Sequence, residues 1–132
     1  MPDPCSFDYV IVRVVPHVER EEFINAGVIV FCDGHDFLAA RVELDEARLA
    51  ALAPDADVEL VRRHLDAIPR ICEGGPAAGS IGRLTARERW HWLTGPRSTV
   101  VQTSAPHAGL AENLEDVLAC IMDRVVRLPT RA

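Results

Sequence analysis

With 132 residues, 48% of them hydrophobic but only 5% aromatic, the chain holds enough apolar material for one packed domain whose core must be filled by Val, Leu, Ile and Ala. A formal net charge of -6 argues against a broad phosphate-backbone interface, so nucleic-acid binding is not expected. All 14 positive charges are arginine. Any anion site must therefore use forked guanidinium groups or backbone N–H groups, and lysine Schiff-base chemistry is excluded.

No apolar run reaches the roughly 18–20 residues of a membrane helix. Met1-Pro2-Asp3-Pro4 lacks the basic start of a secretory leader. Cys5, Cys32, Cys72 and Cys120 are irregularly spaced, with no C-x-x-C pair. Reduced, mostly buried thiols in a cytoplasmic protein are the expectation.

Residues 1–6 read as a flexible tail. From Phe7 to Val15 branched residues dominate, and Pro16 ends the run, which predicts a strand. Both of its faces are largely apolar, as in a central strand covered on both sides. Arg13 is the exception and calls for an acidic partner, with Glu22, Asp33 and Glu43 the candidates. Phe23 to Cys32 predicts a second strand. Gly27 inside it marks a bulge or the close approach of another backbone. Asp33-Gly34 predicts a two-residue type I′ hairpin into a third strand from His35 to Arg41, with Cys32 facing His35 and Val28 facing Ala39.

The period then changes. Asp45 caps a short helix through Leu52, and Asp57 opens a longer one with Val58, Val61, Leu65 and Ile68 on one stripe, bent or stopped at Pro69. Residues 74–82 form a glycine-rich connector within a single domain of residues 1–132. Thr85-x-x-Glu88 is a capping box, so a helix runs from there to Leu93 and stops at Gly95-Pro96. Ser98 to Ser104 predicts a fourth strand, and Pro106 to Gly109 a turn. Asn113 caps a last helix. The fold class is α+β: an antiparallel sheet of about four strands, an N-terminal hairpin meander plus a later strand, with helices packed mainly on one face.

Complete catalytic constellations are missing. Gly74 to Ser80 lacks the lysine and the preceding strand of a phosphate loop. Cys32 and His35 offer two metal ligands, but zinc in a structural site takes four, and Cys72, His64 or His107 would have to converge, so no metal ligand and no cofactor are assigned. Five histidines offer bases for a cysteine hydrolase, yet no signature marks a nucleophile. Trp90 and Trp92, two apart, cannot share a helix face; one belongs in the core and the other at a partner surface. The polar groups that stand out are Arg13 and Arg41 on the sheet, and Arg97, Ser98, Gln102, Ser104 and His107 around the fourth strand. With Glu22 and Asn25 they form either a structural network or an anion pocket.

Two blocks carry a resemblance. The first is Tyr9-x-x-x-Arg13-x-x-Pro16 with Glu22-Phe23-x-Asn25-x-Gly27-Val28-x-x-Phe31. The second is Trp92-Leu93-x-x-Pro96-Arg97-Ser98-Thr99-Val100-Val101-Gln102-x-Ser104 with His107-x-Gly109. Together they resemble the bacterial domain-of-unknown-function 3037 family over nearly the whole chain. The family pattern more often has Gly where Glu21 stands and Phe where Trp90 stands. The resemblance implies no established activity. Its members are often encoded beside kinase-like proteins resembling the HipA toxin kinase, which implies a partner role. Arg13, Glu22, Asn25, Gly27, Arg97, Ser98 and Gln102 are the positions it carries over.

The expected function is a non-enzymatic accessory or interaction module that binds a protein partner, a HipA-like kinase among the candidates, or itself. The alternative is an anion- or phosphate-binding domain or small enzyme built on an Arg/His/Glu cluster, with Arg13, Arg97 and His107 sharing one cleft. The speculative ligand-binding set is Arg13, Glu22, Asn25, Arg41, Arg97, Ser98, Gln102 and His107, with no catalytic residue assigned.

Overall fold

The computed structural model describes residues 4–97 and 99–129. In chain order it has β1 (Cys5–Val14), β2 (Ile24–Cys32), β3 (Phe37–Val42), α1 (Glu46–Leu52), α2 (Val58–Glu73), α3 (Ala86–Thr94), β4 (Val101–Thr103), β5 (His107–Ala111) and α4 (Leu114–Ile121), which a π-helical turn over Met122–Val126 continues. The fold is α+β. Every strand pairing is antiparallel, in the order β3-β2-β1-β4, and β5 pairs with β1 alongside β4.

The sheet thus has five strands, one more than the sequence suggests. The fifth lies where Pro106 to Gly109 read as a turn. Pro106 only precedes β5, an edge strand needing no donor there. Gly109 sits opposite Phe7, whose ring would lie 2.6 Å from any added Cβ. Between β4 and β5 the buried Ser104 makes the joint: its N–H donates to the Ile11 carbonyl at 2.9 Å, and its Oγ accepts from the Ile11 N–H at 2.9 Å.

β1 is the central strand, with a helical layer over each face, and only Ser6 and Asp8 near its start are exposed. Val10, Val12 and Val14 pack under α1, α2 and α3, together with Leu49, Val61, Leu65, Ile68 and Trp90. On the other face Phe7 joins Val28, Val30, Leu114, Leu118 and Met122 beneath α4. Cys5 and Ser6, assigned to a tail by the sequence, already belong to this strand, and Cys5 is buried.

The Asp33-Gly34 turn differs from the predicted one. Asp33–His35 makes a single 3-10 turn and Asp36 takes the left-handed conformation at φ 48°. Four residues therefore link β2 and β3, with Cys32 opposite Phe37 and Val28 opposite Arg41, two positions from the expected register. An even shift keeps every side chain on its face, so the core is unaffected. Asp36, not Gly34, supplies the positive φ that closes such a longer loop.

The register of β1 against β2 slips between Val12 and Arg13, leaving Ala26 as the extra residue of a bulge. Gly27 is required there: a Cβ would lie 2.6 Å from the Arg41 carbonyl oxygen. Glu21, where the family pattern more often has Gly, takes φ 57° at the end of the turn before β2.

Asp45, Asp57, Thr85 and Asn113 each accept from the first turn of their helix, as predicted. Pro69 does not stop α2, which runs on to Glu73. The proline removes one backbone donor, but the stripe continues through Ile71 and Cys72 into the core, and that burial outweighs the lost bond. The α2 carbonyls of Ile71 and Cys72 accept from Arg89 Nη1 at 2.8 and 2.5 Å. The glycine-rich connector is not irregular: Pro76–Arg83 forms 3-10 turns kinked at Gly79.

Gly27→Ala is expected to lower stability by about 1–3 kcal/mol in urea denaturation, because the new methyl meets backbone rather than a movable side chain. Gly34→Ala, which meets nothing within 4 Å, should stay within about 0.5 kcal/mol of the wild type.

Candidate functional site

α4 and its π turn cover only part of the second face of the sheet. Beyond them, at the Val14 end of β1, lies a cleft of about 470 Å³ lined by Arg13, Val15, Val18, Glu21, Phe23, Arg97 and Gln102. Arg13 and Gln102 are directly opposed on β1 and β4 and so share this face. Phe23, which the sequence placed inside a strand, lies just before β2 and keeps 42% of its surface exposed.

The three acids proposed as partners for Arg13 are each taken by another arginine. Glu22 pairs with Arg20 at 2.5 Å, Asp33 pairs with Arg87, and Glu43 pairs with Arg127 at 3.0 Å. Among the described residues Arg13 makes no ion pair. Its guanidinium lies 4.2 Å from the centre of the Phe23 ring, and its Nε is buried without a hydrogen-bond partner. Stacking on an aromatic face partly offsets the loss of hydration, by about 0.5–2 kcal/mol, but leaves the Nε–H unsatisfied.

Arg97 repeats the arrangement. Its guanidinium lies 4.0 Å from the centre of the Trp92 ring, and Nη2 donates to the Trp92 carbonyl. Burial lowers its pKa from the usual arginine value. Trp92 is the exposed tryptophan, at 42%, whereas Trp90 is buried and stacked on Phe31 at 5.4 Å. Arg97 also borders a second hollow of about 250 Å³ lined by Arg63, His64, Ile68, Trp92, Thr99 and others, so the two depressions share one arginine.

The rest of the predicted set scatters. Asn25 faces Arg13 across the bulge, but its Nδ2 donates to the Val125 carbonyl at 3.0 Å, tying down the π turn. Its Oδ1 is buried without a partner. Glu22 is spent on Arg20 and does not line the cleft, whereas its neighbour Glu21 does. Arg41 lies on β3, two strands and about 10 Å across the sheet from Arg13. His107 stacks on Tyr9 at 5.0 Å, four residues and about 13 Å along β1 from Arg13, so the expected Arg13–Arg97–His107 cleft is not formed. Gln102 lines the cleft and donates from Nε2 to the Thr99 carbonyl at 2.9 Å. Ser98 lies outside the described residues.

No thiol belongs to this cleft. Cys72 is pushed up to about 12 by burial, far from a nucleophile's range, and Cys120 is exposed on α4. Sequence reasoning missed Phe23 and Val18 as parts of the site. The available signal was an aromatic beside a proposed bulge, on the segment following the strand that holds the unbalanced Arg13.

Asn25→Ala is expected to destabilise the fold by about 1–3 kcal/mol in urea denaturation, since it strips the Val125 carbonyl of its donor. Arg13→Met keeps the apolar stem and removes the unpaired charge, so its urea midpoint should equal or exceed that of the wild type.

No curated protein and no solved structure matches the chain. A family model, described as Protein of unknown function (DUF3037), matches residues 9–126, from Tyr9 of the central strand to the end of the π turn. That span takes in both arginines and the whole cleft they line, and the chain belongs to this family.

Proposed function

We propose that the protein is a non-enzymatic accessory module that docks a protein partner through the surface around Arg13 and Arg97. The observation that carries this reading is the pair of guanidinium groups, each stacked on a half-exposed aromatic ring and neither ion-paired with a described acid. Exposed aromatics and arginines are enriched in interface hot spots, and here Phe23, Trp92 and Val18 supply the apolar part. A carboxylate set beside an apolar side chain fits such a surface: it meets the free guanidinium edges and covers the rings. In a chain of net charge -6, two such arginines also mark a local reversal of sign that favours an acidic partner segment.

Four unpaired cysteines support a reducing setting, consistent with a bacterial cytoplasmic protein. No helix among the described residues is long and apolar enough to cross a membrane. The kinase-like protein expected beside members of the family is the first partner to test.

A second reading, capture of a small anion such as a phosphate ester, is favoured by one detail. The buried Arg13 Nε has no acceptor, and the cleft volume of about 470 Å³ falls in the range of small-ligand sites.

Titration calorimetry of the neighbouring kinase-like protein into this chain should give micromolar or tighter association. Arg13→Met and Arg97→Met should each weaken it about tenfold or more, while leaving the fold intact by circular dichroism. No heat at micromolar concentration, or equal affinity in both variants, would discard the docking reading. A rise in melting temperature with phosphate esters, abolished by Arg13→Met, would establish the small-anion reading in its place.

A further inference from the structure

At the far end of β1 from the cleft, eight residues and about 26 Å away, three soft ligands meet. Cys5 opens β1, Cys32 closes β2, and His35 sits in the 3-10 turn that follows. Their ligand atoms all lie within 4.8 Å of one another, with both cysteines buried and the histidine exposed. The third residue is not Cys72, His64 or His107, the ones that sequence spacing suggested, but Cys5, brought in by the pairing of β1 with β2.

We propose that Cys5, Cys32 and His35 bind one Zn²⁺ ion, with a fourth position left for water or an exogenous ligand. Two thiolates and an imidazole form a recognised zinc donor set, and three protein ligands are the pattern of an open site. Bond lengths of about 2.3 Å to sulfur and 2.0–2.1 Å to nitrogen place tetrahedral donors some 3.6–3.8 Å apart, so the observed triangle has to contract by only about 1 Å. The positions are held by strand ends and a hydrogen-bonded turn, which limits the reorganisation binding requires.

Charge supports the same assignment. Both thiols are buried, where a bare thiolate without a counter-charge is costly. With Zn²⁺ bound, two thiolates and the ion sum to zero, and a neutral group is tolerated in the hydrophobic cluster to which Cys5 and Cys32 belong. Binding releases two thiol protons, one of which Cys5 donates to the Ala111 carbonyl at 3.0 Å in the metal-free form. The exposed imidazole gives the ion a way in.

Other uses of the pair fit less well. Extending the β1–β2 register puts Cys32 opposite Phe7, so Cys5 and Cys32 are diagonal neighbours. Diagonal Cα atoms lie about 7–8 Å apart, outside the usual disulfide window of roughly 4.4–6.8 Å. Packing alone would be served by one small apolar residue at either position and gives no reason for a histidine beside two thiols.

The test is Co²⁺ and Zn²⁺ titration of the reduced, metal-free full chain. One equivalent of Co²⁺ should give a thiolate charge-transfer band with intense tetrahedral d–d absorption, and Zn²⁺ should displace it. Cys5→Ser and Cys32→Ser should each abolish the band, and Cys120→Ser should leave it unchanged. His35→Ala alters only an exposed side chain, so the fold is retained; it should weaken Zn²⁺ binding more than about 100-fold, beyond what outer ligands contribute. Absence of the thiolate band in the wild type, or a Zn²⁺ affinity unchanged in His35→Ala, would overturn the assignment. Because the arginine cleft lies at the other end of β1, Arg13→Met and Arg97→Met should bind the metal as the wild type does.

Discussion

Burial of β1 on both faces is the constraint from which the rest follows. A strand covered on one side can send its polar residues to water; β1 does so only at Ser6 and Asp8, near its start, and not where both layers cover it. Val10, Val12 and Val14 are fully buried under one layer of helices, and the opposite row reaches a second hydrophobic layer under α4. A polar side chain on that second face of the sheet has three resources: a backbone partner, an aromatic ring, or a gap in the cover. Asn25 uses the first, through the Val125 carbonyl, and Arg13 uses the other two, through Phe23 and the cleft.

The bulge at Ala26 decides how those two residues meet. Without the extra residue, Arg13 would stand opposite Ala26 and Asn25 would belong to the other face. The slip brings Asn25 alongside Arg13 and lets the second strand continue with its apolar residues still inward. It also presses β2 against β3, so only glycine fits at position 27. A local irregularity in the backbone thus sets the chemistry of the surface beside it, as bulges near functional sites commonly do.

Much of this was legible in the sequence. The period-two run of β1, the caps at Asp45, Asp57, Thr85 and Asn113, and the close backbone approach at Gly27, with a bulge beside it at Ala26, were signalled by local residues. What could not be read were outcomes of competition over distance. Asp33-Gly34 favours a type I′ turn in isolation, but Asp33 pairs with Arg87 from α3 and the loop closes at Asp36. Pro69 disfavours helix locally, but Ile71 and Cys72 belong in the core. β5, His-Ala-Gly-Leu-Ala, is too short and too rich in small residues to announce itself; it pairs with the edge of β1 beyond β4. For the site, sequence identified the arginines but not their pairing, since each acid within reach on paper went to a different arginine.

That exchange of partners matters for what the surface can do. A lysine at position 13 or 97 would carry a compact, strongly hydrated charge and would gain little from lying on a ring. Guanidinium is flat and weakly hydrated, so Phe23 and Trp92 can cover one of its faces while its N–H edge stays directed sideways. An acid from the same chain would neutralise that edge and close the surface. Glu22, Asp33 and Glu43 are committed elsewhere, and Glu21, which lines the cleft, is paired with neither arginine, so the N–H groups that the Trp92 carbonyl does not take up can still be met from outside, and the ring beside each offers apolar area to whatever brings the carboxylate or phosphate. Charge and hydrophobic surface are then presented together, a combination that discriminates in favour of a partner carrying both.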